Sequence, residues 1–210
     1  MGGPESFYDL DSGAPSEVNS LASNHPMLND PMEHFPLLLN NLNDDDPVIV
    51  TKSLHIFERC IKPSSFNEQF FVEMIKRIEL FEALVTLIIN ATRDVRSGEA
   101  SQDQGLKMIR ISSDILRQLT NGGKADRQQQ QHSEYQRMAC QNLYHCPNGV
   151  AALVLLANME ENRIKYNGII AIHNLLIKLT RDQQAFNGLR NRIKVSCIIL
   201  LLVMERLTKI

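Results

Sequence analysis

The sequence predicts an all-α protein built from repeated helical units behind an acidic, irregular N-terminal tail. Three observations carry that reading. Leu, Ile, Met and Ala supply most of the apolar side chains, aromatic residues are only 6%, and Trp is absent. This palette favours helices over sheets. From Glu33 onward the apolar spacing follows the helical period. One arrangement then recurs: a short apolar helix, an acidic turn, and a long helix with a polar face.

Residues 1–31 are rich in Gly, Pro, Ser, Asn and Asp and show no sustained hydrophobic period. Such a segment cannot bury enough apolar surface to offset its chain entropy, so disorder is expected there. Residues 32–210 are expected to form one helical domain. Within 34–42, Phe35, Leu38, Leu39 and Leu42 share a helix face. An Asp46 cap followed by Pro47 starts a helix over 47–61, with Val50, Leu54, Phe57 and Ile61 inward and Pro63 beyond its end. A short helix is expected over 67–77 and a longer one over 78–90. The polar stretch 93–104 reads as a break. The helix at 106–119 buries Ile109, Ile111, Ile115, Leu116 and Leu119. A second break spans 120–133, where Asn121-Gly122-Gly123 and the glutamines Gln128 to Gln131 have the composition of a flexible loop. Helices resume over 134–143, 150–157, 162–180, 183–189 and 192–207.

The recurring unit occurs as 37–46 followed by 47–62, and again as 153–162 followed by 163–178. A middle copy sits at 81–90 and 105–120, its turn stretched by an insertion near 93–104; a second insertion falls near 120–133. Two or three helices per unit of about 40 residues are the mark of armadillo or HEAT arrays.

Charge divides the chain. No Lys or Arg precedes Lys52, whereas that stretch holds Glu5, Asp9, Asp11, Glu17, Asp30, Glu33, Asp44, Asp45 and Asp46. The remainder is net positive, which suits acidic partners or an ordinary solvated surface. Cys60, Cys140, Cys146 and Cys197 form no C-x-x-C pair, and the start lacks the basic and apolar regions of a secretory leader. Reduced thiols in cytoplasm or nucleus are expected. The longest apolar run, 197–204, is too short to span a bilayer, so no membrane insertion is expected. Apolar on every face, it instead calls for a following helix or a partner.

Residues 35–62 resemble the start of the armadillo array of the β-catenin family. Residues 149–178, with the core Ile172-His173-Asn174-Leu175-Leu176, resemble a later repeat of it. The resemblance implies a right-handed superhelical solenoid of about three to four repeats, whose third helices line a basic groove for extended acidic peptides. Asn174 matches the position where an amide both donates to and accepts from a ligand backbone. Tyr166 and His173 match neighbouring ligand-contacting positions; an alternative is that this pair, seven apart on one face, only packs. Arg59 and Gln118 stand at the corresponding positions of earlier units, with Glu58 and Arg117 beside them. Lys52, Arg110, Arg117, Lys165 and Lys178 would supply the positive field. The implied partners are cadherin tails and transcription factors of the T-cell-factor type. The implied setting is Wnt signalling, transcriptional co-activation and cadherin adhesion, in cytoplasm, nucleus and cell junctions. The tail has no amphipathic helix matching the family's α-catenin-binding element.

Asp11-Ser12-Gly13-Ala14-Pro15-Ser16 has the D-S-G-x-x-S form of the family's phosphodegron, with Ser20 four residues on. The resemblance implies a destruction-complex scaffold, kinases and a ubiquitin ligase as further partners. Two phosphates in an extended segment form a compact anion that an Arg cluster can hold. The next rung, residue 24, is Asn, and the first Lys is Lys52.

Other chemistry finds no support. Cys140-x₅-Cys146 beside His145 fits no common zinc spacing. Gly122-Gly123-Lys124 lacks the rest of a P-loop. No nucleophile with an ordered base is visible, so no enzyme activity, cofactor, metal or direct nucleic-acid contact is expected. The alternative is another armadillo or HEAT adaptor unconnected with Wnt signalling; an importin-like one would want Trp-Asn pairs, and Trp is absent.

Overall fold

The computed structural model describes residues 32–62, 64–98, 102–122, 129–180 and 182–207. Among them all regular structure is helical. The helices are α1 (Phe35–Asn41), α2 (Pro47–Ile61), α3 (Glu68–Lys76), α4 (Ile78–Ser97), α5 (Gln102–Thr120), α6 (Gln129–His145), α7 (Gly149–Ala157), α8 (Asn162–Leu179) and α9 (Gln183–Leu207). The expectation of disorder over 1–31 lies outside the described residues.

Local chemistry sets several boundaries. The Asp46 carboxylate accepts from Val48 N–H at 2.8 Å, and Pro47, which has no N–H to satisfy, occupies the first turn of α2. Asn67 caps α3 by accepting from Phe70 N–H at 3.0 Å. Asp182 caps α9 through Ala185 N–H at 2.9 Å.

Two expected breaks are shorter than the polar composition suggests, and one expected gap between helices is absent. Helix α4 continues through Ser97, and α5 starts already at Gln102. Arg93, Arg96 and Ser97 are an exposed face of a continuing helix, while Val95 packs against Gly105 of α5. Gly98 stops α4 with φ 74° and an N–H bonded to the Asp94 carbonyl, a left-handed cap that glycine adopts without a Cβ clash. Gln129, Gln130 and Gln131 belong to the first turn of α6, consistent with the good helix propensity of glutamine. The two helices expected at 183–189 and 192–207 are one, α9; Arg192 donates to the Tyr144 carbonyl at 2.6 Å, and Leu189 is buried.

Consecutive helices α4 and α5, and α7 and α8, pack against each other, and helices three apart in the chain also meet. Helices α2, α5 and α8 lie side by side in that order, as do α1, α4 and α7. Helix α3 packs on α6, and α9 packs on α7 and α8. One apolar cluster runs through these series from Phe35 to Leu189. At its start Phe35, Phe57 and Phe70 meet pairwise with centroids 5.2–5.6 Å apart, within the range of favourable ring pairing. Further along, Gly168 lets α8 close on α7: a Cβ there would lie 2.7 Å from Ala157 N and 2.8 Å from Leu156 Cβ.

Candidate binding surface

The residues singled out by resemblance lie on the series α2–α5–α8, which positions them relative to one another. Lys52 and Arg59 are exposed on α2, seven residues apart and so on one face. Arg117 and Gln118 are half-buried on α5. Tyr166 and His173 are exposed on α8, whereas Asn174 is buried. Its amide nitrogen lies 3.5 Å from Thr120 Oγ1, across the contact between α8 and α5. Asn174 therefore touches the neighbouring helix, while His173 beside it faces outward.

The expected cations divide into two kinds. Lys52 is exposed and Lys165 half-buried. Arg110 instead forks onto Glu161, with Nε 2.7 Å and Nη2 3.0 Å from the two carboxylate oxygens. That pairing holds the guanidinium even more firmly protonated. Arg117 reaches Asp114 at 3.5 Å, and Lys178 reaches Ser133 Oγ at 3.3 Å. On α2, Glu58 is buried and lies 3.3 Å from His55 and 3.0 Å from Lys62. The hydrogen bond from His55, followed in weight by that from Lys62, holds its carboxyl below the ordinary 4.5 against the opposing pull of burial.

The residues sequence reasoning missed join α5 to α8. Asp114 is buried, and its carboxylate accepts from Arg163 Nη2 and, at 3.0 Å, from Asn167 Nδ2. Asn167 Nδ2 also lies 3.0 Å from Ser113 Oγ. A buried carboxylate is tolerated only when paired and hydrogen-bonded, as here. The available signal was Asp114 itself, a carboxylate one residue before Ile115 on the side assigned to the core. The pairs Arg110–Glu161, Asp114–Arg163 and Thr120–Asn174 rise together along the two segments, so α5 and α8 run parallel.

Burial pushes the Cys60 thiol up to about 11, Cys140 to about 12 and Cys146 to about 11. They stay protonated at neutral pH, unlike reactive or metal-bound thiolates. Among the described residues no cluster of three or more His, Cys, Asp and Glu is placed to hold a metal ion, and no helix is long and apolar enough to cross a membrane. Asp11, Ser12, Gly13, Ser16 and Ser20 lie outside the described residues. In comparisons with known proteins, no protein-family model matches the chain and no curated protein matches it significantly.

Proposed function

We propose that this chain is a non-enzymatic protein-binding scaffold of the β-catenin type, a short armadillo solenoid with abundance set by phosphorylation of its tail. The observation carrying this reading is the parallel, side-by-side placement of α5 and α8 within the series α2–α5–α8, at an interval of three helices. Units of three helices stacked in one direction bring equivalent helices to one surface, where an extended peptide meets a regular row of side chains. Lys52 and Lys165 attract acidic peptides. His173 and Tyr166 offer polar and aromatic contacts from exposed positions. The partners of this reading are cadherin tails and T-cell-factor-type transcription factors, which places the chain in cell adhesion and Wnt signalling, at cell junctions and in the cytoplasm and nucleus.

Fluorescence anisotropy with acidic peptides of both types tests the groove. His173→Ala is expected to weaken binding about fivefold, the equivalent of roughly 1 kcal/mol for one hydrogen bond. The double variant Tyr166→Ala/His173→Ala, which removes both exposed contacts, should bind more weakly still while keeping its helical circular dichroism. Undiminished binding by both variants would reject the groove. For the tail, a Ser12→Ala/Ser16→Ala chain should persist longer in cells, and an unchanged half-life would sink the degron.

A second reading, an armadillo or HEAT adaptor outside Wnt signalling, is favoured by one observation. Arg110 and Arg117 are tied to Glu161 and Asp114, which leaves a weaker positive field than a groove for acidic peptides wants. Binding of neither acidic peptide, with helical structure intact, would select it.

A further inference from the structure

Helix α2 carries a row of basic side chains. Lys52, His55 and Arg59, with Lys62 directly after the helix, are spaced three, four and three, so they share one face, and all four are exposed. The row is about 15 Å long at 1.5 Å per residue. Glu58 is the one carboxylate between residues 47 and 62, and it is buried. Its two oxygens serve the row itself: Oε2 lies 3.3 Å from His55 Nδ1 and Oε1 3.0 Å from Lys62 Nζ. A buried carboxylate thus fixes two members of the row from beneath, and the surface above it is basic throughout. Asp44, Asp45 and Asp46 stand before the helix, which confines the positive field to its later turns.

The complementary charge is in the same chain. Residues 1–31 hold Glu5, Asp9, Asp11, Glu17 and Asp30 and no Lys or Arg. They lead into α1, which packs on α2. Between residues 17 and 32 the chain can extend about 50 Å at 3.3 Å per residue, so the row is well within reach. A tethered segment meets its site at an effective concentration of about 1 mM. Contacts too weak to hold a free peptide are therefore enough to hold this one.

We infer that residues 5–17 dock on the basic row of their own chain, as a self-ligand that competes with acidic partners for Lys52 and Arg59. The carboxylates of the tail meet cations that α2 presents at one-turn intervals, and screening by salt weakens the contact. The competition rests on the groove reading above, because both ligands draw on Lys52 and Arg59. The docking does not, because it needs only α2 and the tail. The surface is then open to an outside peptide only in proportion to the time the tail is away.

Fluorescence anisotropy with a labelled peptide of residues 1–20 tests the docking on two full chains. One is the wild type; the other is Glu5→Gln/Asp9→Asn/Asp11→Asn/Glu17→Gln, whose own tail no longer competes. The neutral-tailed chain should bind the peptide about tenfold more tightly than the wild type, and its binding should fade as salt rises from about 0.05 to about 0.5 M. Adding Lys52→Glu to it should abolish binding, whereas Lys194→Glu, exposed on α9, should leave binding unchanged. Lys52→Gln/Arg59→Gln replaces Lys52→Glu if that variant loses its helical circular dichroism. Absence of binding to the neutral-tailed chain overturns the inference. So does equal binding by the two chains, or an equal loss from Lys52→Glu and Lys194→Glu. Acidic partner peptides separate the two readings. If they bind while the tail peptide does not, the docking falls and the groove stands; if the tail peptide alone binds, the groove falls and the docking stands.

Discussion

Gly168 shows how narrowly single positions are set. Its missing side chain leaves room for the Ala157 N–H and the Leu156 side chain of α7, and neither backbone can yield without moving a helix. Gly168→Ala should cost about 1–3 kcal/mol through overpacking, read as a lower urea midpoint. Glu58 gives a pH signature. Its folded pKa lies below 4.5, chiefly because of the His55 hydrogen bond. The stabilisation is therefore present above that pH and is lost as pH falls through the lower folded value. As pH falls from 4.5 through the lower folded value, the wild type should lose more stability than Glu58→Gln, measured by urea unfolding at each pH. The thiols make a third case. Cys60, Cys140 and Cys146 are buried and Cys197 is half-exposed, so one thiol per native chain should react quickly with a disulfide reagent. All four should react once the chain is unfolded.

The helices most legible in the sequence were those whose ends carry side-chain chemistry. Asp46-Pro47 located the start of α2 because the carboxylate and the missing proline N–H both answer a local need. Asp46→Ala should lower stability by about 1 kcal/mol through loss of that cap, visible in the thermal midpoint. The ends of α4 and α6 were less legible. Polar residues such as Arg93, Arg96 and Ser97 read as a break in composition, yet a helix face turned to water has the same composition; Gln129 to Gln131 read the same way, although glutamine propagates a helix well. The candidate surface was legible only in part. The exposed positions of Tyr166 and His173 follow from helical spacing within α8. The attachment of Arg110 to Glu161, 51 residues away, depends on how separate units stack, and no local pattern encodes that. The same distance hid the role of Asp114.

Across the whole molecule, the two flanks of the contact between α5 and α8 differ in kind. One flank is stitched by the half-exposed pair Arg110–Glu161 and by the buried Asp114 with Arg163 and Asn167. The other flank belongs to the continuous apolar cluster, where Ile115 and Leu119 of α5 and Ile164 and Ala171 of α8 are buried. Salt weakens the exposed part of the first and strengthens apolar burial in the second. The joint is consequently an ionic latch over a greasy pivot. The separation of α5 and α8, followed by spin-label distances between exposed positions of the two helices, should widen as ionic strength rises while helical content holds. The stiffness with which the chain presents its surface would then be set by the surrounding electrolyte, as a spring whose tension the solvent adjusts.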